Sequence, residues 1–285
     1  MSKSSKKLLI AGGDSWTSPH EHYYKAAGMD KVWPNYVAEF FDWDLINVAL
    51  GGAGNDYIHN TLIDAIEENS HRDIVVMPAW SQSMRSQPFD LPLTQLTFNL
   101  HMPNLEPPFG KAKTECQIAL RKLLEMHVTC YDPRGTIEVG LKKDDFSRYI
   151  ARWSLRHIYL LNEFCLGRGI EIIHHRALNI LNGIEWILDP SVNFKNRREV
   201  HIAVRELNNP LNQYLHKIRK WDNVVGGDLF EWGSSCYELY PKYWLSQDEH
   251  HPNAQGMQLI AHSFVNKYIE KYQERATAEA DYVYD

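Results

Sequence analysis

Three short apolar runs, each closed by glycine or a polar turn and followed by a helix-like stretch, constrain this chain more than any other feature. Lys7–Gly13, Asp44–Leu50 and Asp73–Ala79 are near-continuously apolar and only seven residues long. Runs of that kind read as parallel strands covered on both faces. Between them, Trp33–Phe41 reads as a helix with Pro34 in its first turn. Tyr57 to about Glu68 reads as another, capped by Asn55, with Ile58, Leu62, Ile63 and Ile66 on one face. Strands alternating with helices predict an α/β chain: a mostly parallel sheet with helices on both sides. On such sheets ligands sit beyond the carboxyl ends of the strands, so chemistry is sought in the residues after each run.

The rest of the chain is less regular. Residues 85–108 are rich in proline and loop-like. Thr114–Val128 and Asp145–Leu166 read as helices that interrupt the alternation, a helical insertion over about 111–166. Gly169–His175 reads as a fourth strand, and Asn223–Val225 as a weak fifth. Arg198–Ile218 is expected to be helical with a break near Pro210. After Pro252, Met257, Ile260, Ala261, Phe264, Val265, Tyr268 and Ile269 recur at helical spacing. One domain over 1–275 and a tail over 276–285 are expected.

Charge and cysteine usage remove several function classes. There are 36 acidic against 30 basic residues, a net charge of −6, so no broad basic field is offered to nucleic acid. Local runs such as Lys195–Arg198 read as a solvated helix start. Cys116, Cys130, Cys165 and Cys236 form neither a C-x-x-C pair nor a zinc-ligand spacing. No apolar run approaches a membrane span, and the basic start leads into a strand-like run rather than a leader. The expected compartment is cytoplasmic, with reduced thiols. The neighbours His174–His175 and His250–His251 could suggest a metal, but adjacent strand residues point to opposite faces. No metal and no cofactor is expected.

Three segments carry chemistry. The first run ends in Gly12-Gly13-Asp14-Ser15-Trp16-Thr17, where a serine on a tight turn can present its hydroxyl outward. Asp248-Glu249-His250-His251-Pro252 stands directly before the last helix. An Asp three residues before a His can bond the imidazole Nδ1–H and leave Nε2 to take a serine proton. The second run ends in Gly51-Gly52-Ala53-Gly54-Asn55. A dinucleotide loop there would need a third glycine where Tyr57 stands, which counts against a nucleotide-binding protein.

G-D-S at the first strand end, followed late by D-x-x-H-P, resembles the SGNH (GDSL-type) hydrolases over about Lys6 to Tyr268. The resemblance implies a three-layer α/β/α flavodoxin-like fold and a serine esterase. It makes Ser15 the nucleophile and Asp248 with His251 the base. It gives the oxyanion the N–H groups of Ser15 and Gly52, with Gly51 or Gly54 as alternatives if the turn is offset. The family's third block, G-x-N-D, is replaced by Trp80-Ser81-Gln82-Ser83, which puts Gln82 where the oxyanion Asn would be. Ser81 and Ser83 are the alternatives, and Trp16, Trp80, Ser81 and Asn55 are candidate substrate contacts. Tyr23, Tyr24, Trp33 and Trp244 could also stack on a sugar.

The resemblance further implies a short acyl ester of a carbohydrate or small alcohol as substrate; charge and the lack of an apolar span give the expectation of no nucleic-acid or membrane partner. The third-block variant looks like phage-encoded members of the class, which would allow virion association. A non-catalytic glycan-binding or assembly module, with residues 111–166 as its interface, is the competing expectation.

Overall fold

A computed structural model describes residues 6–19, 21–81, 85–86, 98–99, 143–178, 211–226, 229, 241–246 and 251–273. In chain order the elements are β1 (Leu8–Gly12), α1 (His22–Ala26), α2 (Trp33–Phe41), β2 (Asp44–Asn47), α3 (Asn55–Glu68) and β3 (Ile74–Trp80). Then come β4 (Arg85–Ser86), β5 (Phe98–Asn99), α4 (Lys143–Gly167), β6 (Glu171–Ile172), β7 (His175–Arg176), α5 (Leu211–Ile218) and α6 (Ala254–Tyr268). The main sheet has the order β2-β1-β3-β6, every neighbour parallel, with β7 continuing along β3. β4 and β5 form a separate two-residue antiparallel pair.

Strand periodicity sorts the core into two layers. Leu8 and Ile10 of β1 face one way with Ile74, Val76 and Trp80 of β3, where Ile58, Leu62 and Ile66 of α3 cover them. Leu9 and Ala11 face the other way with Val75, Met77 and Ala79, beneath Val37 of α2 and Ile260 and Phe264 of α6. The period of two in a strand is what makes both faces apolar and both sides helical. On the second side the Trp33 ring stacks on Phe264, centroids 4.2 Å apart and planes 12° apart.

The expected strands and helices occur with shifted limits. The fourth strand is split: β6 and β7 pair with β3, while the buried His174 between them bridges Val224 instead. The fifth strand is reduced to that bridge, held by His174 N–H to Asn223 O at 2.8 Å and Val225 N–H to His174 O at 2.9 Å. The helix read as the second half of an insertion is α4, the crossover between β3 and β6. Its Leu155, Ile158, Leu161 and Cys165 are buried against α3 and α5, because they form one apolar stripe. Thr114–Val128, the rest of that expected insertion, Arg198–Pro210 and the tail lie outside the described residues.

β1 has β2 on one side and β3 on the other, so the order in which strands are added reverses at β1 while every strand keeps the same direction. The crevice beyond its carboxyl end is the place where open α/β sheets bind ligands. The loops after β1 and β2 lie at that end, and so does Ser81 directly after β3.

Candidate active site

The loop after β1 is wound tightly around Asp14. The Asp14 carbonyl accepts the Thr17 and Ser18 amides at 2.9 and 3.0 Å, and its Oδ1 accepts the Trp16 amide at 3.0 Å. Gly13 is required here by space: a Cβ would stand 2.2 Å from Thr17 Oγ1. Thr17 is itself held, since its Oγ1 accepts the Trp33 indole N–H at 3.1 Å. This winding leaves Ser15 at the crest of the turn, 9% exposed.

Ser15 Oγ lies 2.9 Å from His251 Nε2 across 236 residues of sequence. His251 sits just before α6 on a segment tied down by its backbone. Leu245 N–H donates to His251 O at 2.8 Å, and Asn253 N–H donates to Tyr243 O at 2.7 Å. Asn253 does three more things: its Nδ2 donates to Lys242 O and Trp244 O, and its Oδ1 caps α6 by accepting the Gly256 amide at 3.0 Å. The histidine is thus placed by a helix N-terminus that is itself anchored. If Nε2 accepts the Ser15 hydroxyl proton, Nδ1 carries the ring proton and needs an acceptor. Asp248, expected in that role, lies outside the described residues, as does His250.

The turn after β2 is coupled to the Ser15 loop. Leu50 N–H donates to Gly13 O at 3.1 Å, and Asn47 Nδ2 donates to Thr17 O at 2.8 Å. Ala53 N–H closes the turn on Leu50 O at 3.0 Å, with Gly52 in third position at φ +76°. A type II turn needs a positive φ there, which glycine adopts without steric cost. Among the described residues neither the Ser15 nor the Gly52 amide donates a hydrogen bond to the protein. Gly51 lies under Glu21, whose Oε1 would be 2.1 Å from a Cβ at that position. Gly54 is the N-cap residue of α3.

Three expected substrate contacts are placed otherwise. Trp80 is fully buried in the first core layer, with its indole N–H donated to His174 Nδ1 at 3.0 Å, because β3 continues one residue further than read. Asn55 does not cap α3, which has Gly54 in that position. Its carboxamide pairs with the Ser81 backbone, accepting the N–H at 2.8 Å and donating to the C=O at 2.8 Å. Its Nδ2 also donates to Ser154 Oγ at 2.5 Å, so no donor is left for a ligand. Ser81 is buried and donates its hydroxyl to Asp14 Oδ2 at 2.9 Å. Trp16 is buried with its ring centroid 6.3 Å from that of His251. Trp33 is a core residue, not a surface for a sugar. Gln82 and Ser83 lie outside the described residues.

The Asp14–Ser81–Asn55 chain joins the ends of β1 and β3 to the start of α3, and nothing in the spacing announced it. Replacing Asn55 by Ala strands the buried Ser81 N–H and C=O, a loss of about 2–4 kcal/mol. Urea denaturation should read this destabilisation.

His174 and His175 face opposite core layers, as neighbours on a strand do. His174 accepts from Trp80, and its Nε2 donates to Asn162 Oδ1 at 3.0 Å; His175 stacks on Phe264. Burial pushes both imidazoles down to about 3, the charge of Arg176 adding to the effect on His175. Among the described residues no group of three His, Cys, Asp or Glu side chains is placed to hold a metal, and no helix is long and apolar enough to cross a membrane.

No family model and no curated protein matches the chain. Solved structures do. A psychrotrophic esterase from Pseudoalteromonas sp., in a form inhibited by monoethylphosphonate, is 12% identical over 95% of this chain and 100% of its own, at a TM-score of 0.42. A catalytic mutant of an acetylxylan esterase from Geobacillus stearothermophilus is 13% identical over 94% and 96%, at 0.39. A GDSL-like lipase from Bacteroides thetaiotaomicron VPI-5482 is 14% identical over 93% and 88%, at 0.34. The chain is similar to these proteins along nearly its whole length, at low identity.

Proposed function

We propose that this chain is a serine esterase that hydrolyses a short-acyl ester through an acyl-Ser15 intermediate. The observation that carries the reading is the 2.9 Å approach of His251 Nε2 to Ser15 Oγ at the switch point of the sheet. A serine without a base is a poor nucleophile; one bonded to an anchored imidazole is an activated one.

In the reaction, the Ser15 hydroxyl proton passes to His251 Nε2 as Oγ bonds to the ester carbonyl carbon. The carbonyl oxygen becomes an oxyanion, held by the Ser15 and Gly52 N–H groups. Gln82 is a further donor in this proposal, in the place of the family's Asn. The carbon–alkoxide bond then breaks, and the leaving alcohol takes the proton from Nε2. Water, deprotonated by His251, attacks the acyl carbon and releases the acid while Ser15 regains its proton. Asp248 is assigned the Nδ1–H of His251. A carbohydrate or small alcohol on the leaving side is the reading that the resemblance to SGNH hydrolases supports.

A fluorophosphonate probe tests the reading. The expected result is one adduct per chain, on the peptide that holds Ser15, with parallel loss of hydrolysis of short p-nitrophenyl esters. A folded protein that takes no label and cleaves no ester sinks it, and a binding or assembly module becomes the working view.

A further inference from the structure

We infer that Glu21 sets the charge selectivity of this site: its carboxylate, seated on the Gly51–Gly52 turn, favours esters that carry a cationic group over esters that carry a carboxylate. The inference rests on the esterase reading above and deepens it.

The chain around Glu21 accounts for its position. Glu21 is the N-cap residue of α1, and its backbone carbonyl accepts the Tyr24 and Lys25 amides at 3.2 and 3.4 Å. Its carboxylate takes no part in that cap. It reaches across to the turn after β2 instead, where Oε1 stands 2.1 Å and Oε2 2.9 Å from the point a Gly51 Cβ would occupy. Gly51 has no positive φ, so its backbone would accept an ordinary L residue. It is the missing Cβ that lets the carboxylate lie there. Glu21 is thereby placed beside Gly52, whose N–H is assigned to the oxyanion. Two residues further on, the Tyr23 ring lies 4.1 Å from that of His251 between centroids. The start of α1 therefore touches the glycine turn on one side and the base on the other.

The other acids described in these loops are committed elsewhere. Asp14 is fully buried, with Oδ1 on the Trp16 amide and Oδ2 on the Ser81 hydroxyl. Asp56, at the start of α3, is buried and accepts the Trp153 indole N–H at 3.4 Å. Glu21 is only half-buried, and among the described residues no ion pair or hydrogen bond engages its carboxylate. A charge held at the edge of a crevice acts on what enters it. An ester bearing a carboxylate meets a like charge at this turn; one bearing an ammonium group meets an opposite one. Repulsion of the oxyanion itself is common to every ester and cancels in a ratio of two. Unit charges about 5–8 Å apart under partial screening change a rate roughly 3- to 30-fold.

The test compares kcat/KM for two matched pairs of esters on each protein sample. Acetylcholine is set against its isostere with a tertiary-butyl group in place of the trimethylammonium, and p-nitrophenyl hemisuccinate against p-nitrophenyl butyrate. A ratio taken within one sample does not depend on how much of the protein is active. Glu21→Gln should lower the acetylcholine ratio, raise the hemisuccinate ratio, or do both, by roughly 3- to 30-fold. Glu21→Asp keeps the charge and should stay close to wild type. Raising the salt from about 0.05 M to about 0.5 M should move the wild-type ratio in the direction of the Gln variant. Two ratios unmoved by Glu21→Gln overturn the inference, and so does a shift of equal size in Glu21→Asp. Wild-type ratios indifferent to salt overturn it without any variant. A wild type that takes no fluorophosphonate label and cleaves none of the four esters fails the esterase reading itself, and the inference with it.

Discussion

Ser15→Ala should abolish ester hydrolysis, with kcat falling on the order of 10⁴- to 10⁶-fold, while the thermal midpoint stays close to that of wild type. The substitution removes one oxygen from the crest of a turn whose backbone bonds belong to Asp14, Thr17 and Trp16. The Ser15 hydroxyl bonds His251 and no structural partner among the described residues, so its loss should cost the fold little. His251→Ala should give a loss of the same order, because a hydroxyl without its base is a weak nucleophile. The double variant should be no slower than the worse single one. Residues that act as a unit are non-additive in this way. Kinetics on a short p-nitrophenyl ester with the two single variants and the double one would check this. Losses that multiply would show that Ser15 and His251 do not act on one step.

Acid should unfold this protein well above the range where carboxylates titrate. His174 and His175 are held neutral by burial, down to about 3, whereas in the unfolded chain they titrate near 6.5. Below pH 6.5 the unfolded state therefore binds protons that the native state refuses, and stability falls as pH falls. The two together should remove roughly 3 kcal/mol per pH unit between about pH 6 and pH 4, with no contribution above pH 7. His59 and His157, both lowered chiefly by desolvation where α3 meets α4, act in the same direction.

For His174 the structural reason is specific. Its Nδ1 accepts the Trp80 N–H, so a proton placed there would set donor against donor inside the core. Urea denaturation at pH 7, 6 and 5 should show the loss, and His175→Gln should make it distinctly less steep. A stability that is flat over this range would mean that these imidazoles are hydrated or charged in the native protein.

Much of the architecture was legible in the chain. Leu8–Gly12 and Ile74–Trp80 are apolar at every position, and only strands covered on both faces use such runs. The spacing of Met257, Ile260, Phe264 and Val265 placed α6 after Pro252, and the structure adds Asn253 as its cap. Where local signals were ambiguous the reading drifted. The stripe Leu155, Ile158, Leu161 and Cys165 declares a helix, but not whether that helix caps a site or crosses from β3 to β6. A strand of two residues such as β6 or β7 has no period to detect.

The candidate site divides in the same way. Sequence alone determined which residues could do the chemistry: a serine after the first strand, a histidine before the last helix and a glycine turn after the second strand. These depend on residue type and on strand order, which periodicity reveals. Only the tertiary structure decided that Ser15 and His251 meet at 2.9 Å. It also decided that Asn55 pairs its carboxamide with Ser81, that Trp80 gives its indole N–H to His174 in the core, and that the Tyr23 ring faces that of His251. Each is a contact between residues distant in sequence, set by how the helices lie on the sheet, and no local pattern carries that information.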